Sequence, residues 1–206
     1  MSGLQILTLL SVALGAGWCS GINLYATVFV LGAMDRWVPG FSLPGHLHVL
    51  SSSWVLWPAL GLYVVEFAAD KIPAVDTVWD TVHTFVRPPA GAVLAAMALG
   101  DVPVELQICA ALVGGFLSFG AHAVKATTRL AAHSTGTSPI VSPTVSVAED
   151  VLVVGTLGLI AAHPILALIA LVLMMVGAFF LLRLFWGFAR KVFGGFRRKP
   201  PAAQTC

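Results

Sequence analysis

Four groups of ionisable residues in this sequence have spacings that could do chemistry. Asp76, Asp80, His83 and Arg87 follow an i, i+4, i+7, i+11 pattern, which places them on one narrow stripe of a helix. Upstream, Glu66 and Asp70 share a face at i, i+4, and Lys71 adjoins them. Downstream, His122, Lys125 and Arg129 share a face at i, i+3, i+7, and Glu149 and Asp150 stand together. Acids gathered on one hairpin and bases on another allow three chemistries. The groups can neutralise one another as structural ion pairs. They can line a polar vestibule that binds an ion or a charged headgroup, the default reading for ionisable residues inside a membrane. Lastly, Asp76-x3-Asp80-x2-His83 stacks two carboxylates and an imidazole as a candidate set for a divalent cation. Membrane prenyl-transfer enzymes hold magnesium and diphosphate with such Asp-x3-Asp pairs, but only one pair exists here.

The rest of the chain must position these groups, and its composition says in what medium. Of 206 residues, 58% are hydrophobic and 10% charged, whereas soluble domains carry about 25% charged residues. The mean hydropathy is +0.94. These values exclude a soluble enzyme, a disordered chain and a nucleic-acid-binding module. Cys19, Cys109 and Cys206 are too scattered for a disulfide framework or a zinc site. No phosphate loop, nucleophile–His–acid set or cofactor fingerprint is present, so no cofactor is expected.

The expected fold is all-α: a polytopic membrane domain over 1–189 with about six transmembrane helices, followed by a basic cytoplasmic tail over 190–206. Met1–Ala33 reads as one span with a break or close-packing site near Gly17–Asn23. A Pro-, Gly- and His-containing loop follows over Asp35–Ser53, then spans at Trp54–Asp70, Ala90–Gly100, Val104–Ala126, Val151–Ala162 and Pro164–Gly187. Ala90–Gly100 and Val151–Ala162 fall well short of the ~20 residues a crossing needs, which predicts re-entrant segments or polar extensions. Pro73–Arg87 reads as a separate amphipathic helix ended by Pro88-Pro89. With six spans, the inner segments hold ten of the eleven basic residues and the outer ones only Arg36, which places both termini in the cytoplasm. Gly17-Trp-Cys-Ser20 and Gly115-Phe-Leu-Ser118 lie at similar positions of two spans and raise a 3+3 inverted repeat.

Weaker signals complete the picture. His46-x-His48 belongs to a solvated loop, and Ser134–Ser146 reads as a linker or a cap over the vestibule. Gly91, Gly100, Gly114, Gly115 and Gly120 suit close helix packing, an arrangement compatible with a homo-oligomer. Arg190–Lys199, with Phe193 and Phe196, should meet anionic lipid headgroups.

The chain resembles the bacterial membrane proteins grouped as domain of unknown function 4126. The resemblance rests on Ser20-Gly-Ile-Asn-Leu-Tyr-Ala26, Val65-Glu-Phe-Ala-Ala-Asp-Lys-Ile-Pro73 and Trp79-Asp-Thr-Val-His-Thr-Phe-Val-Arg87 with Pro89-Ala-Gly91. It continues in His122-Ala-Val-Lys-Ala-Thr-Thr-Arg129 and Glu149-Asp150. It implies a bacterial inner membrane and carries no activity with it. The functional expectation is therefore a transporter or channel-like protein for a small ion or charged solute. Glu66, Asp70, Asp76, Asp80, Glu149 and Asp150 attract a cation or carry protons in this reading, and His83 and His122 titrate. Lys71, Arg87, Lys125 and Arg129 set the charge balance, and Asn23 lines the path. The runner-up is a non-transporting protein that binds lipid headgroups or partner subunits; a metal-dependent lipid-modifying enzyme is third.

Overall fold

The structure is a computed structural model that describes residues 3–134 and 138–196. Those residues form α1 (Gly3–Ile22), α2 (Leu24–Trp37), a 3-10 segment (Gly45–Ser51), α3 (Ser53–Ala69), α4 (Pro73–Leu99), α5 (Val104–Ser134), α6 (Ser138–Ala162) and α7 (Pro164–Phe196). Five helices are long and apolar enough to cross a membrane: α1, α4, α5, α6 and α7. The 3-10 segment and α3, bent by 70° to each other, make a sixth candidate. The chain is a polytopic all-α membrane protein.

The first hydrophobic stretch is not one span. Asn23 is extended (φ −144°, ψ 102°) and separates α1 from α2. Its side-chain oxygen accepts the Ala26 N–H at 2.9 Å, and the Thr27 hydroxyl donates to its carbonyl at 2.7 Å. Asparagine is a strong N-cap because it satisfies an N–H that a new helix leaves without a partner. The chain folds back at this point. Leu4 and Thr8, early in α1, line one cavity with Gly40 and Phe41, which follow α2. Ile22, at the other end of α1, lines a different cavity with Lys125 and Glu149. At 14 residues, α2 is about 21 Å long and too short to cross a ~30 Å hydrocarbon core.

This path changes where the ends lie. Leu4 shares its cavity with His163 and Pro164, at the start of α7, and α7 then runs past Ile22 to the opposite end. Gly3 and Phe196 therefore stand at opposite ends of the bundle, in place of the common side expected from an even span count. The Lys71, Lys125, Arg129 and Arg190 end is the Phe196 end, and Arg36 lies at the other.

Two expected short spans are the ends of long helices. α4 continues through Pro88 and Pro89 to Leu99, so the amphipathic stripe and the apolar Ala90–Gly100 segment are one helix of 27 residues. Pro88 and Pro89 have no N–H to give the Thr84 and Phe85 carbonyls; beside them the Ser118 hydroxyl donates to the Arg87 carbonyl at 2.8 Å and ties this part of α4 to α5. α6 begins at Ser138, well before Val151, so most of the supposed Ser134–Ser146 linker is helical; residues 135–137 lie outside the described residues. Likewise α7 runs on to Phe196, beyond residue 190, and the remainder of the basic tail lies outside the described residues.

Small residues let α1 sit directly on α4 and α5. A Cβ on Gly17 would meet Gly114, one on Gly21 would meet the Ser118 backbone, and one on Gly91 would meet Ser20 and Ser118. The Ser20 and Ser118 hydroxyls are 3.2 Å apart. Gly17 faces Gly114 and Gly21 faces Ser118, so α1 and α5 run in the same direction. An inverted repeat would set them antiparallel; the two Gly-x-x-Ser stretches are a packing seam instead.

The seam is testable. Gly21→Val should cost about 1–3 kcal/mol, the usual cost of overpacking, and lower the melting temperature of the detergent-purified protein. Gly120→Ala should melt at or above the wild-type temperature, because a Cβ there meets nothing within 4 Å.

Candidate functional site

The four charged groups meet. α3, α4, α5 and α6 converge at the end of α1, where Glu66, Asp70, Asp76, Asp80, Arg87, His122, Lys125 and Arg129 are all buried. Glu149 and Asp150 are half-buried at the edge. Helical spacing explains the convergence: each group lies on one face of its helix, and each face turns toward the same axis.

Three cations organise the centre. Arg87 donates to Glu66 through Nη2, and its Nη1 donates to the Gly21 carbonyl at 3.2 Å and to His122 Nδ1 at 2.7 Å. Lys125 Nζ lies 3.5 Å from Glu66, 3.4 Å from Asp70 and 3.4 Å from Glu149, and donates to the Ile22 carbonyl at 3.2 Å. Arg129 pairs with Asp76 through Nη1, and its Nη2 reaches Asp70 at 2.8 Å and Glu149 at 2.9 Å. Arg87 and Lys125 thus also satisfy carbonyls at the carboxyl end of α1, where the helix leaves acceptors without partners and carries partial negative charge.

The acids differ in what they receive. Asp70 takes Lys125, Arg129 and the Ser146 hydroxyl at 3.1 Å. It sits in the corner between α3 and α4; burial alone would raise its pKa, but Lys125 and Arg129 hold it below the ordinary carboxylate value. Asp150 is held by neutral donors, Asn23 Nδ2 at 3.0 Å and the Tyr63 hydroxyl at 3.2 Å. Asp80 is 3.6 Å from Arg87 and 4.0 Å from Arg129, beyond hydrogen-bond distance of both. Glu66 Oε2, Asp70 Oδ1 and Asp80 Oδ1 are buried without a hydrogen-bond partner among the described residues. Six carboxylates thus face three permanent cations.

The histidines do not belong to the charged set in the same way. Thr84 donates its hydroxyl hydrogen to the Asp80 carbonyl at 2.9 Å, so it accepts from His122 Nε2 at 2.9 Å. Arg87 donates to Nδ1, which makes His122 a neutral relay with its hydrogen on Nε2. His83 turns away from the carboxylates: Nδ1 lies 2.8 Å from the Trp79 carbonyl and Nε2 3.2 Å from the Tyr25 hydroxyl. The Asp76–Asp80–His83 metal set is therefore not assembled, and no group of three or more His, Cys, Asp or Glu among the described residues is placed to hold a metal ion. Lys71 is exposed and bonds the Phe67 carbonyl at 2.9 Å, outside the centre.

Several partners were not foreseen from the residue pattern. Ser146 stands three and four residues before Glu149 and Asp150, Tyr63 three before Glu66, and Thr84 four after Asp80, so helical spacing carried a signal for each. Tyr25 and the Gly21 and Ile22 carbonyls had no such signal, because they depend on the break at Asn23. His46 and His48 take separate acids, Asp101 at 3.4 Å and Asp35 at 3.1 Å, in the loop at the opposite end.

Fold and centre together define a multi-pass helical membrane protein built around a buried ionic cluster. Residues 10–184 match the family model described as domain of unknown function (DUF4126), and the chain belongs to that family. Neither the curated proteins nor the solved structures yield a match.

Breaking a buried pair by removing one partner typically costs about 3–5 kcal/mol. Arg129→Met, which takes one cation from each of Asp70, Asp76 and Glu149, should therefore destabilise the protein by about that amount in detergent unfolding experiments. Lys71→Met should stay within about 0.5 kcal/mol of wild type, as surface changes do. Asp70 contributes with a fixed sign: its stabilisation is present above its unfolded pKa of about 3.9 and is lost as pH falls through the lower folded value.

Proposed function

We propose that this protein moves a small cation across the membrane through the cluster between α3, α4, α5 and α6. The observation that carries the reading is the imbalance of charge: six carboxylates against three cations, enclosed in helices of membrane-spanning length. Uncompensated charge inside a bilayer is expensive and is retained where an ion or proton completes it. A purely structural cluster would favour equal numbers.

The positive-inside rule orients this proposal. The end that carries Lys71, Lys125, Arg129, Arg183 and Arg190 faces the cytoplasm of a bacterial inner membrane, and Arg36 faces outward. Gly3 then lies outside and Phe196 inside. Arg190 stacks over Trp186 at 5.2 Å, a pairing suited to the inner interface, where anionic headgroups attract basic side chains.

Glu66→Gln in proteoliposomes tests the reading. We expect the wild-type protein to dissipate a cation or proton gradient, and the variant to lose that flux while staying folded, with a wild-type elution profile and a melting temperature lowered by the loss of the buried partner of Arg87. A variant that unfolds, alongside a wild type without flux, would assign the cluster to structural ion pairing and support the lipid- or subunit-binding alternative.

A further inference from the structure

A cavity of about 220 Å³ opens between α4 and α5 beside the cluster, lined by Asp76, Thr77, Asp80, Thr81, Thr84 and Arg129. Asp80 is 7% exposed; its Oδ1 turns to Arg87 Nη1 at 3.6 Å and its Oδ2 lies 4.0 Å from Arg129 Nε, so two long ion pairs hold the carboxylate and no described hydrogen bond reaches Oδ1. The threonines sharpen the chemistry of this wall. The Thr81 hydroxyl donates to the Thr77 carbonyl at 2.7 Å and the Thr84 hydroxyl to the Asp80 carbonyl at 2.9 Å. A hydroxyl has one hydrogen to give, so both oxygens are left as acceptors. Thr84 spends that capacity on His122, at 2.9 Å, and Thr81 keeps it. Arg129 also borders the cavity, but its two terminal nitrogens are held by Asp70, Asp76 and Glu149.

We infer that this cavity binds a monovalent metal cation of the sodium class, with Asp80 as its charged ligand and the Thr81 hydroxyl as a neutral one. The inference rests on the cation-moving reading above and names its substrate and point of access. An anion meets two carboxylates and one already-paired guanidinium here, so the local charge opposes it. Calcium takes six to eight oxygen ligands, and magnesium, which keeps several waters, is bound through one or two carboxylates together with substrate phosphates; here Asp76 is paired with Arg129, so Asp80 alone offers a single negative charge, which a monovalent ion balances. A partly hydrated monovalent ion needs less. It replaces some of its water with one carboxylate and one hydroxyl, and retains the rest in the open part of the cavity.

Binding of radiolabelled Na+ to the purified full-length chain in detergent tests this directly, with flux measured in parallel. Saturable binding is expected. Asp80→Asn should weaken it about tenfold and Thr81→Val about threefold, the loss of a charged and of a neutral ligand respectively. Asp101→Asn, at an exposed acid in the far loop, should bind as wild type does. Thr81 is exposed, so its variant reports on the site even where Asp80→Asn fails to fold. Full affinity in folded Asp80→Asn and Thr81→Val overturns the site, and cation flux in the wild type would leave the broader reading standing. Proton flux without Na+ binding overturns the metal-cation assignment alone. Absence of both binding and flux overturns the two together.

Discussion

A charge taken out of water must find opposite charge or hydrogen bonds, and that requirement organises this protein. Desolvation costs several kcal/mol per ion even after the surroundings relax. Arg87, Lys125 and Arg129 are at most 3% exposed. Lys125 and Arg129 are each held by more than one carboxylate and Arg87 by Glu66, with Asp80 at 3.6 Å; Arg87 and Lys125 also reach a backbone carbonyl. Four helices supply the side chains and a fifth, α1, supplies the carbonyls. The bundle cannot be rearranged locally without stranding a charge.

The break at Asn23 is what makes the carbonyls available. Inside a continuous helix, the Gly21 and Ile22 oxygens would accept backbone N–H groups four residues on. With α1 ended at Ile22, they accept from Arg87 and Lys125. Gly17 and Gly21 then bring α1 close enough to α5 for those bonds to form, since a side chain at either position would strike Gly114 or Ser118. Asn23 itself joins the two levels of structure, capping α2 with its oxygen and holding Asp150 with its nitrogen. A single residue thus links chain direction to the charge network.

Much of the centre was legible in the sequence because helices impose simple periodicity. Glu66 with Asp70, Asp76 with Asp80 and Arg87, and His122 with Lys125 and Arg129 share faces by spacing alone, and their chemistry favours mutual contact. What spacing does not encode is where a helix stops. Pro88-Pro89 read as a terminator, yet α4 passes through both where it packs on α5, with Gly115 lying against the Pro88 carbonyl. Asn23 read as a break or close-packing site within one span; the break is there, but it reverses the chain, and that reversal moves Gly3 to the opposite end from Phe196. His83 has the right spacing for the acidic stripe, but its ring stacks on Trp79 at 4.6 Å and bonds Tyr25 instead. Tertiary partners decide such choices, and one helix read alone does not contain them.

The cluster need not be either a structural clamp or a transport site. Its acids divide by how they are satisfied. Asp70, Glu149 and Asp76 are locked by Arg129, and Asp70 by Lys125 and Ser146 besides. These contacts hold α3, α4, α5 and α6 together whatever passes beside them. Asp80 stands on the same helical stripe but faces a cavity and lies outside hydrogen-bond reach of the two nearest cations. A carboxylate already saturated with donors gains little from a cation, whereas an under-donated one gains most. The frame must be rigid for that difference to persist, because a mobile arginine would shorten the 3.6 or 4.0 Å gap to Asp80 into a hydrogen bond. In the proposed mechanism, then, the ion pairs are the condition for cation binding rather than its alternative. They fix the hydrogen bonds of Arg87 and Arg129 on other acids and so leave the Asp80 carboxylate with long ion pairs at 3.6 and 4.0 Å in place of charge-assisted hydrogen bonds.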